Sequence, residues 1–448
     1  MRTRKTRIVA TVGPPSIDLI SKMAKYVDVF RLNFAHGDPA QHQKYFEVIR
    51  KKAPSSAILV DLPGPKMRIG DFQGTIKLTR GQTVVFSRGG EGIPVEEDAF
   101  YKVVQQGTVV LLADSEIKVQ VQLATPDKVI AKVISGGNLT ARKGINIPKV
   151  KLDVGLTDSD VALLREAADL GADAIGLSFV VEASEVAKAR SIYPKGFMVA
   201  KIEKADALKN LKEIIAEANA VMVARGDLGI EVGLERLPAV QDKIITASKN
   251  AGRPVILATQ VLESMVNNTS PTRAEVIDVA NSVSRGVDSI MLSDETAAGQ
   301  NPMAAVKYLD GIIRKAELGA NPLGRVETED ENDAMAYAAV NAARIAKAKA
   351  IVAHSRSGLT VARVSKFRPD VPILALVESQ EKLRESEFYW GVIPALVEPS
   401  KEVSDVFQVS WRKALELGMA KKGDKVVIVA GEPMARQGVT NLLGLHQI

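Results

Sequence analysis

Two short apolar runs near the middle of the chain each end abruptly in residues that hold metals and phosphates in proteins. The first run ends in Lys201 and Glu203, and the second ends in Arg225, Gly226 and Asp227. Carboxylate oxygens are ligands that Mg²⁺ prefers, and a cation beside them suits a phosphoryl group. Side chains alternate across a β-strand, so Lys201 and Glu203 share one face. These two strand ends therefore predict a site for a divalent metal and a phosphate.

The elements that position these residues are predicted to be strands alternating with helices. Three such units precede residue 65 and five follow residue 150. Eight units are typical of a (β/α)8 TIM barrel, in which the active site lies at the carboxyl ends of the strands. The polar residues at the predicted strand ends are Asn33, Asp61, Ser178, Lys201 with Glu203, Arg225 with Asp227, Thr259 and Ser293. Residues 171–178 (GADAIGLS) also resemble residues 286–293 (GVDSIMLS), as expected for repeated strand units.

The remaining sequence divides into two further modules. Residues 66–148 are rich in glycine, threonine and valine in short alternating runs, which predicts a small all-β barrel inserted into the larger barrel. A linker containing glycine, proline and acidic residues at about 318–330 precedes another alternation of strands and helices. We therefore predict barrel segments at 1–65 and 149–325, the inserted domain at 66–148, and a C-terminal α/β open-sheet domain at 326–448.

Composition excludes several classes of function. The 448 residues are 46% hydrophobic and 25% charged, which is ordinary for a soluble globular protein of two or three domains. The basic N-terminal run ends at Gly13 and two prolines and indicates a strand rather than a signal peptide, so we expect no membrane association. Cysteine is absent, which favours a cytoplasmic location. The net charge of +6 is spread without basic blocks, which suits small anionic substrates rather than nucleic acid.

Nine stretches of the chain resemble motifs of the pyruvate kinase family, in the family's order. They are residues 6–14 (TRIVATVGP), 31–37 (RLNFAHG), 61–68 (DLPGPKMR), 143–148 (KGINIP), 201–203 (KIE), 222–229 (MVARGDLG), 258–265 (ATQVLESM), 271–275 (PTRAE) and 291–296 (MLSDET). The resemblance covers nearly the whole chain and implies a barrel, an inserted lid and a C-terminal regulatory domain. It also implies the reaction of phosphoenolpyruvate with ADP and a proton to give pyruvate and ATP.

The resemblance assigns roles to several residues at the predicted barrel mouth. Glu203 and Asp227 would hold Mg²⁺ or Mn²⁺, and Lys201 would stabilise charge on the phosphoryl group and the enolate oxygen. Arg31 would bind the substrate phosphate, while the backbone of Gly226 and Asp227 would bind its carboxylate. The hydroxyls of Thr259 and Ser293 are candidates for the proton relay to the enolate carbon, with Thr259 also contacting substrate.

Residues outside this group would bind the nucleotide and an effector. The nucleotide positions are Asn33, His36, Arg68 and Lys143, of which the last two lie at the hinges of the lid. The predicted site for a phosphorylated effector is Ser355, Arg356, Ser357 and Gly358, which open a helix. Helix capping by serine is the alternative interpretation of that loop. Relatives are usually homotetramers, so the same assembly is expected.

The sequence departs from the commonest family pattern at the potassium site. Asn33 and Asp61 are retained, but alanine and leucine occupy the positions of the other K⁺ ligands, at Ala35 and Leu62. Lys66 stands where K⁺-dependent members have glutamate, and its ammonium can replace the monovalent cation. We therefore expect that the enzyme needs Mg²⁺ or Mn²⁺ but not K⁺.

Two other classes of function remain as alternatives. A Mg²⁺-dependent barrel lyase or aldolase acting on a pyruvate enolate would use the same carboxylates, but it would not explain the inserted module. A non-catalytic anion-binding protein is suggested only by the sequence pI near 9.1.

Overall fold

The predicted barrel is confirmed. The computed structural model describes residues 4–65, 67–89, 91–113, 116–148, 155–319, 327–328, 330–400, 402–431 and 439–448. Eight parallel strands form a closed barrel in which each strand pairs with the next along the chain and the last pairs with the first. The strands are Arg7–Thr11, Val29–Asn33, Ala57–Asp61, Ala174–Leu177, Phe197–Ile202, Ala220–Ala224, Val255–Ala258 and Ser289–Leu292.

Helices cover the outside of the barrel, which explains why its strands are apolar on both faces. Side chains cap the amino ends of several of these helices. Asp38 accepts a hydrogen bond from the backbone of Gln41, and Thr157 and Thr272 form capping boxes. The α-helices are Ile20–Met23, Pro39–Lys52, Asp158–Asp169, Ala183–Ile192, Leu211–Glu217, Arg225–Val232, Leu237–Asn250, Arg273–Arg285, Asp294–Ala297 and Pro302–Gly319. Short 3₁₀ turns lie at Ile17–Leu19, Asp206–Leu208 and Glu263–Val266.

The chain between the third and fourth barrel strands forms a six-stranded sheet and a two-stranded sheet around a separate hydrophobic core. The strands are Thr75–Leu78, Thr83–Ser87, Ile93–Pro94, Val109–Leu112, Ile117–Ala124, Lys128–Ser135, Gly137–Thr140 and Ile145–Asn146. The expectation of strands alone was wrong at one point, because Asp98–Val103 is a helix. Its Phe100 is fully buried against Phe86, so core packing selects the helix there.

The C-terminal α/β sheet has five strands, of which four are parallel. In spatial order they are Val392–Leu396, Ile373–Val377, Ala350–His354, Lys425–Ala430 and Leu442–Gln447, the last antiparallel to its neighbour. The helices are Glu331–Ile345, Leu359–Lys366, Gln380–Glu385 and Val403–Glu416, with a 3₁₀ turn at Ser386–Phe388. Most of the predicted linker lies outside the described residues.

The C-terminal unit docks against the barrel at the amino ends of the strands. Phe388 is fully buried in the cluster of barrel-interior side chains and stacks on Phe197 with 4.9 Å between ring centroids. The polar residues lie at the opposite end of the barrel, where the carboxyl ends of the strands meet. In the described part of the chain, no helix combines the length and apolar character needed to cross a bilayer.

Candidate active site

Lys201 lies near the end of the fifth barrel strand, where its Nζ makes one hydrogen bond and two ion pairs. Its Nζ lies 2.6 Å from Ser178 Oγ, 3.0 Å from Asp61 Oδ1 and 3.2 Å from Glu203 Oε1. Burial by itself would lower the pKa of Lys201, but the Asp61 and Glu203 carboxylates outweigh that effect and raise the pKa. Lys201 is therefore an ammonium at neutral pH.

Arg31 shares Asp61 with Lys201. Its Nε and Nη2 lie 2.8 and 2.6 Å from Asp61 Oδ2, while Nη1 donates to the hydroxyl of Thr11 at 3.0 Å. Burial would raise the pKa of Asp61, but Lys201 and Arg31 more than offset this and lower it. Asp61 is consequently a carboxylate with one oxygen on each cation, and it holds both cations at the same point of the barrel mouth.

Glu203 and Asp227 are the two carboxylates that the sequence analysis predicts to bind a metal. Glu203 is 3% exposed and its Oε2 accepts a hydrogen bond from the backbone N–H of Phe179 at 2.7 Å. Burial raises the pKa of Glu203; Lys201 opposes the rise, whereas the negative charges of Asp227 and Asp61 add to it. A cation placed between Glu203 and Asp227 would relieve this repulsion, so the residues fit a divalent metal.

The protein supplies only part of a metal coordination sphere here. Among the residues that the structure describes, no group of three or more His, Asp or Glu side chains is arranged to hold a metal. Mg²⁺ is commonly held by one or two carboxylates, with substrate phosphates and waters completing its shell. Two carboxylates at the mouth agree with that pattern.

Gly226 and Asp227 lie in the first turn of the helix Arg225–Val232, where N–H groups lack intrahelical partners and favour anions. The Gly226 N–H donates to Thr259 Oγ1 at 2.8 Å. A Cβ on Gly226 would come no closer than 3.6 Å to a protein atom, so contacts within the protein do not require glycine there. The nearest atoms to that position belong to the Thr259 side chain.

Thr259 has an uncommon backbone conformation, with φ of 67°, followed by Gln260 at 51°. Arg225 holds this turn: its guanidinium donates to the carbonyls of Thr259 at 3.1 and 2.9 Å and of Gln260 at 2.8 Å. Left-handed backbone at a non-glycine residue is costly and tends to occur at functional sites. The turn aims the Thr259 hydroxyl at the Gly226 amide.

Comparison with known proteins identifies the family. A family model described as "Pyruvate kinase, barrel domain" matches residues 3–306, and one described as "Pyruvate kinase, alpha/beta domain" matches residues 333–446. The chain belongs to the pyruvate kinase family. The prediction of an enzyme of this family is thereby confirmed.

Named relatives match the chain over its whole length. A pyruvate kinase of Agrobacterium vitis is 39% identical and covers 99% of this chain and 97% of its own. One of Thermotoga maritima is 37% identical, covering 99% of this chain and 100% of its own. A pyruvate kinase of Mycobacterium tuberculosis is 36% identical, covering 100% of this chain and 99% of its own.

The four predicted nucleotide residues fall into two groups. Arg68 and Lys143 lie on adjacent antiparallel segments: Arg68 pairs with Gly144, and Ile69 N–H donates to the Lys143 carbonyl at 2.8 Å. Asn33 accepts from the Ala35 N–H at 3.2 Å, and His36 is exposed. Within the described chain, no hydrogen bond or ion pair joins the two groups.

Ser293 follows the last barrel strand. Its Oγ is buried and has no hydrogen-bond partner among the described residues, while its N–H donates to Glu295 Oε2 at 2.6 Å. A buried hydroxyl without a partner requires an explanation, and an ordered water or a ligand supplies one. Lys66, predicted as the catalytic substitute for K⁺, lies outside the described residues.

The predicted effector loop forms ordinary turn and capping contacts. Gly358, with φ of 84°, donates its N–H to Ser355 Oγ at 3.0 Å, and Leu359 N–H donates to Ser357 Oγ at 3.4 Å. Arg356 Nε pairs with Glu378 Oε2 at 2.9 Å. These contacts agree with the capping interpretation and leave the effector role a prediction.

Several residues that build the mouth have no role predicted from the sequence. Thr11 supports Arg31, Arg225 holds the Thr259 turn, and Ser178 contacts Lys201. Asn146, from the inserted module, donates its Nδ2 to Asp227 Oδ1 at 3.3 Å. The sequence predicts Ser178 and Arg225 only as polar residues at strand ends. The signal for them was the change from an apolar run to a polar residue.

Proposed function

We propose that this protein transfers the phosphoryl group of phosphoenolpyruvate to ADP, forming pyruvate and ATP. The observation that carries the proposal is the convergence of Lys201, Arg31, Glu203 and Asp227 at one barrel mouth in a member of this family. Catalysis of phosphoryl transfer requires chiefly that the protein position the reacting groups and neutralise their charge, and this cluster can do both.

Both cations act on the phosphoryl group of the substrate, and Lys201 acts on the enolate oxygen as well. Arg31, held by two of its nitrogens on one oxygen of Asp61, presents a fixed guanidinium to the phosphate. Lys201 stabilises negative charge on the phosphoryl group and then on the enolate oxygen. The amides of the first turn at Gly226 and Asp227 bind the substrate carboxylate, and the Gly226 N–H exchanges its contact with Thr259 Oγ1 for one with the carboxylate.

Glu203 and Asp227 hold Mg²⁺ or Mn²⁺ in this proposal. A metal held there would act as a Lewis acid towards the phosphoryl group. Glu203 is kept in place by the Phe179 amide and Asp227 by the Asn146 side chain, so the chain orients both carboxylates.

Protonation of the enolate carbon is assigned to a water held by Thr259 and Ser293. A hydroxyl is a weak acid, so the two side chains orient the water rather than supply the proton. The buried Ser293 Oγ, which has no partner within the described chain, supports this role.

ADP binds between the barrel and the inserted module in this proposal. Asn33 and His36 contribute from the barrel, and Arg68 and Lys143 contribute from the two paired segments that connect the module to it. Closing the module over the nucleotide would bring the two groups together and exclude water from the phosphates.

The decisive experiment is a coupled assay for ADP-dependent pyruvate formation with Mg²⁺. Turnover that requires phosphoenolpyruvate, ADP and a divalent metal is expected. Pyruvate formation without ADP would instead favour the lyase or aldolase alternative, and the complete absence of pyruvate would refute the proposed reaction.

Independence from K⁺ is the second part of the proposal. It rests on Lys66, Ala35 and Leu62 in the sequence and on Asp61, whose oxygens are both paired with cations of the protein. Turnover in tetramethylammonium chloride should equal turnover at the same ionic strength in KCl. A large stimulation by K⁺ would contradict this, and Lys66→Glu should create a K⁺ requirement.

We also propose that a phosphorylated effector binds Ser355–Gly358 by replacing Glu378 as the partner of Arg356. A thermal-shift screen with sugar phosphates and nucleotides, repeated on Arg356→Ala, tests this. A stabilising compound should lose its effect on the variant, and equal responses of the two proteins would remove the loop from consideration.

The assembly is proposed to be a homotetramer in the cytoplasm. Exposed apolar residues on two neighbouring barrel helices support self-association: Ile277 is 60%, Tyr308 44% and Leu318 83% exposed. Light scattering after size-exclusion chromatography should give four times the 48.1 kDa chain mass. A monomeric mass at micromolar concentration would contradict the assembly.

A further inference from the structure

Ser178 and Phe179 follow the fourth barrel strand and form what we call the Ser178–Phe179 corner. The Ser178 hydroxyl donates to the Leu62 carbonyl at 2.7 Å and accepts from Lys201 Nζ at 2.6 Å. The next residue donates its backbone N–H to Glu203 Oε2 at 2.7 Å. One dipeptide therefore contacts both the cation and a metal-binding carboxylate of the proposed mechanism.

We propose that the Ser178–Phe179 corner is the positioning element of the site: Ser178 orients the Lys201 ammonium towards the phosphoryl group, and the Phe179 amide orients Glu203 towards the metal. This inference rests on the proposed function and extends it to two residues that act through Lys201 and Glu203.

The direction of the hydrogen bonds makes Ser178 a specific partner for an ammonium. A serine hydroxyl has a single proton, and here it is directed to the Leu62 carbonyl. Its oxygen can therefore only accept from Lys201. The contact is also the shortest of the three that Lys201 makes, so Ser178 fixes the ammonium without adding negative charge to the mouth.

The backbone of the corner is held in an uncommon conformation. Phe179 has φ of 57°, a left-handed value that a bulky residue adopts only when its surroundings impose it. The Phe179 N–H that donates to Glu203, which follows the fifth strand, lies at this same residue. The uncommon backbone conformation and the contact with Glu203 therefore occur at one position of the chain.

Gly64 packs directly on the corner. A Cβ on Gly64 would lie 2.7 Å from Ser178 Cβ and 2.9 Å from the Phe179 ring, distances too short to be tolerated. Gly64 precedes the inserted module, so the segment that enters that module and the corner that positions Lys201 and Glu203 support one another. A side chain at residue 64 would displace the corner.

Ser178→Ala tests the contact with Lys201. We expect a fall in kcat of about 10- to 100-fold, typical of removing a positioning partner, with KM for phosphoenolpyruvate within about threefold of the native value. Mn²⁺ affinity, measured by electron paramagnetic resonance, should be unchanged. The matched control is Ser191→Ala, which removes an exposed hydroxyl that also donates to a backbone carbonyl at 2.7 Å.

A kcat for Ser178→Ala equal to that of Ser191→Ala would overturn the inference. So would a parallel loss of Mn²⁺ affinity, because that would indicate general collapse of the corner rather than misorientation of Lys201. Inactive native protein would instead refute the proposed function, and the metal-binding test that follows remains valid in that case.

Gly64→Ala tests the contact with Glu203 without an activity assay. We expect Mn²⁺ binding to weaken about 10-fold, because the added methyl group displaces the Phe179 amide from Glu203. Gly74→Ala is the matched control, because both glycines have positive φ, 68° at Gly64 and 81° at Gly74. At Gly74, however, no atom lies within 4 Å of the position that the added methyl group would occupy. Equal Mn²⁺ affinities of the two variants would overturn this half of the inference.

Discussion

Replacing Lys201 by alanine should lower kcat at least about a hundredfold, equivalent to about 2.7 kcal/mol of transition-state stabilisation. The structure gives the reason. The ammonium makes three contacts, and its removal leaves Asp61 with Arg31 as its remaining cation and Glu203 with the Phe179 amide. Both carboxylates would then repel the incoming phosphate.

Charge at the mouth supports this magnitude. With all side chains ionised, Arg31 and Lys201 balance two of the three carboxylates of Asp61, Glu203 and Asp227. A divalent cation makes the native cluster positive by one charge, whereas the same cluster without Lys201 is neutral. A multiply charged phosphate therefore loses both a direct donor and the net attraction.

The assay is ADP-dependent pyruvate formation at saturating Mg²⁺, with unfolding by urea measured in parallel. Lys201→Met retains most of the apolar stem and should lose as much activity as Lys201→Ala. Lys204→Ala is the control, because Lys204 lies on the same segment and pairs with Glu231 at 2.7 Å. Folded Lys201→Ala protein with kcat within about tenfold of native would refute the reasoning.

Three further predictions concern the C-terminal unit. Arg368→Met should lower the free energy of unfolding by about 3–5 kcal/mol in urea titrations, because buried Asp288 would lose its cation at 2.7 Å; a change below about 1 kcal/mol would contradict it. Phe388→Ala should cost about 3–5 kcal/mol in the same titrations by leaving a cavity beneath Phe197, and an unchanged transition midpoint would argue against this packing. Burial lowers the pKa of His354 to about 4, so the unfolded chain binds the proton more tightly; stability should fall as pH drops from about 6.5 to about 4. Thermal unfolding at several pH values should show a flatter dependence in His354→Gln, and parallel curves would contradict the assignment.

The barrel could be predicted because its signals are local. Asp38 and the proline at the first helical position are signals in the sequence that mark the start of the helix Pro39–Lys52. Each buried strand likewise appears as an apolar run. The strand Leu442–Gln447 was missed because it is partly exposed and contains Gly444, and its partner Lys425–Ala430 supplies the pairing that its own sequence does not indicate.

The candidate site could be predicted only in part. Parallel strands in a barrel bring their polar ends to one mouth, so topology alone predicts that Lys201 and Asp61 approach one another. Topology does not determine which oxygen each cation contacts. The division of Asp61 between Arg31 and Lys201, and the orientation of the Ser178 hydroxyl, depend on side-chain rotamers on different strands.

The resemblance between residues 171–178 and 286–293 has a physical cause at the other end of the barrel. Asp173 and Asp288 each precede a strand, and each accepts a backbone N–H of the preceding strand in the barrel, at 2.7 Å from Ile58 and 2.9 Å from Val255. Asn219, before the strand Ala220–Ala224, makes the same contact with Met198 at 2.9 Å. This hydrogen bond from the preceding strand therefore requires a side-chain oxygen but not a negative charge.

The negative charge serves a second purpose, which is attachment of the C-terminal unit. Asp173 pairs with Arg384 and Asp288 with Arg368, each at 2.7 Å, whereas Asn219 at the equivalent position cannot form an ion pair. The repeated aspartates thus bind the C-terminal unit at the amino ends of the strands, and the carboxyl ends remain available for phosphoryl transfer. The strands that follow Asp173 and Asp288 are the ones that end just before Ser178 and Ser293, so one strand contributes to the attachment at its amino end and to the mouth at its carboxyl end.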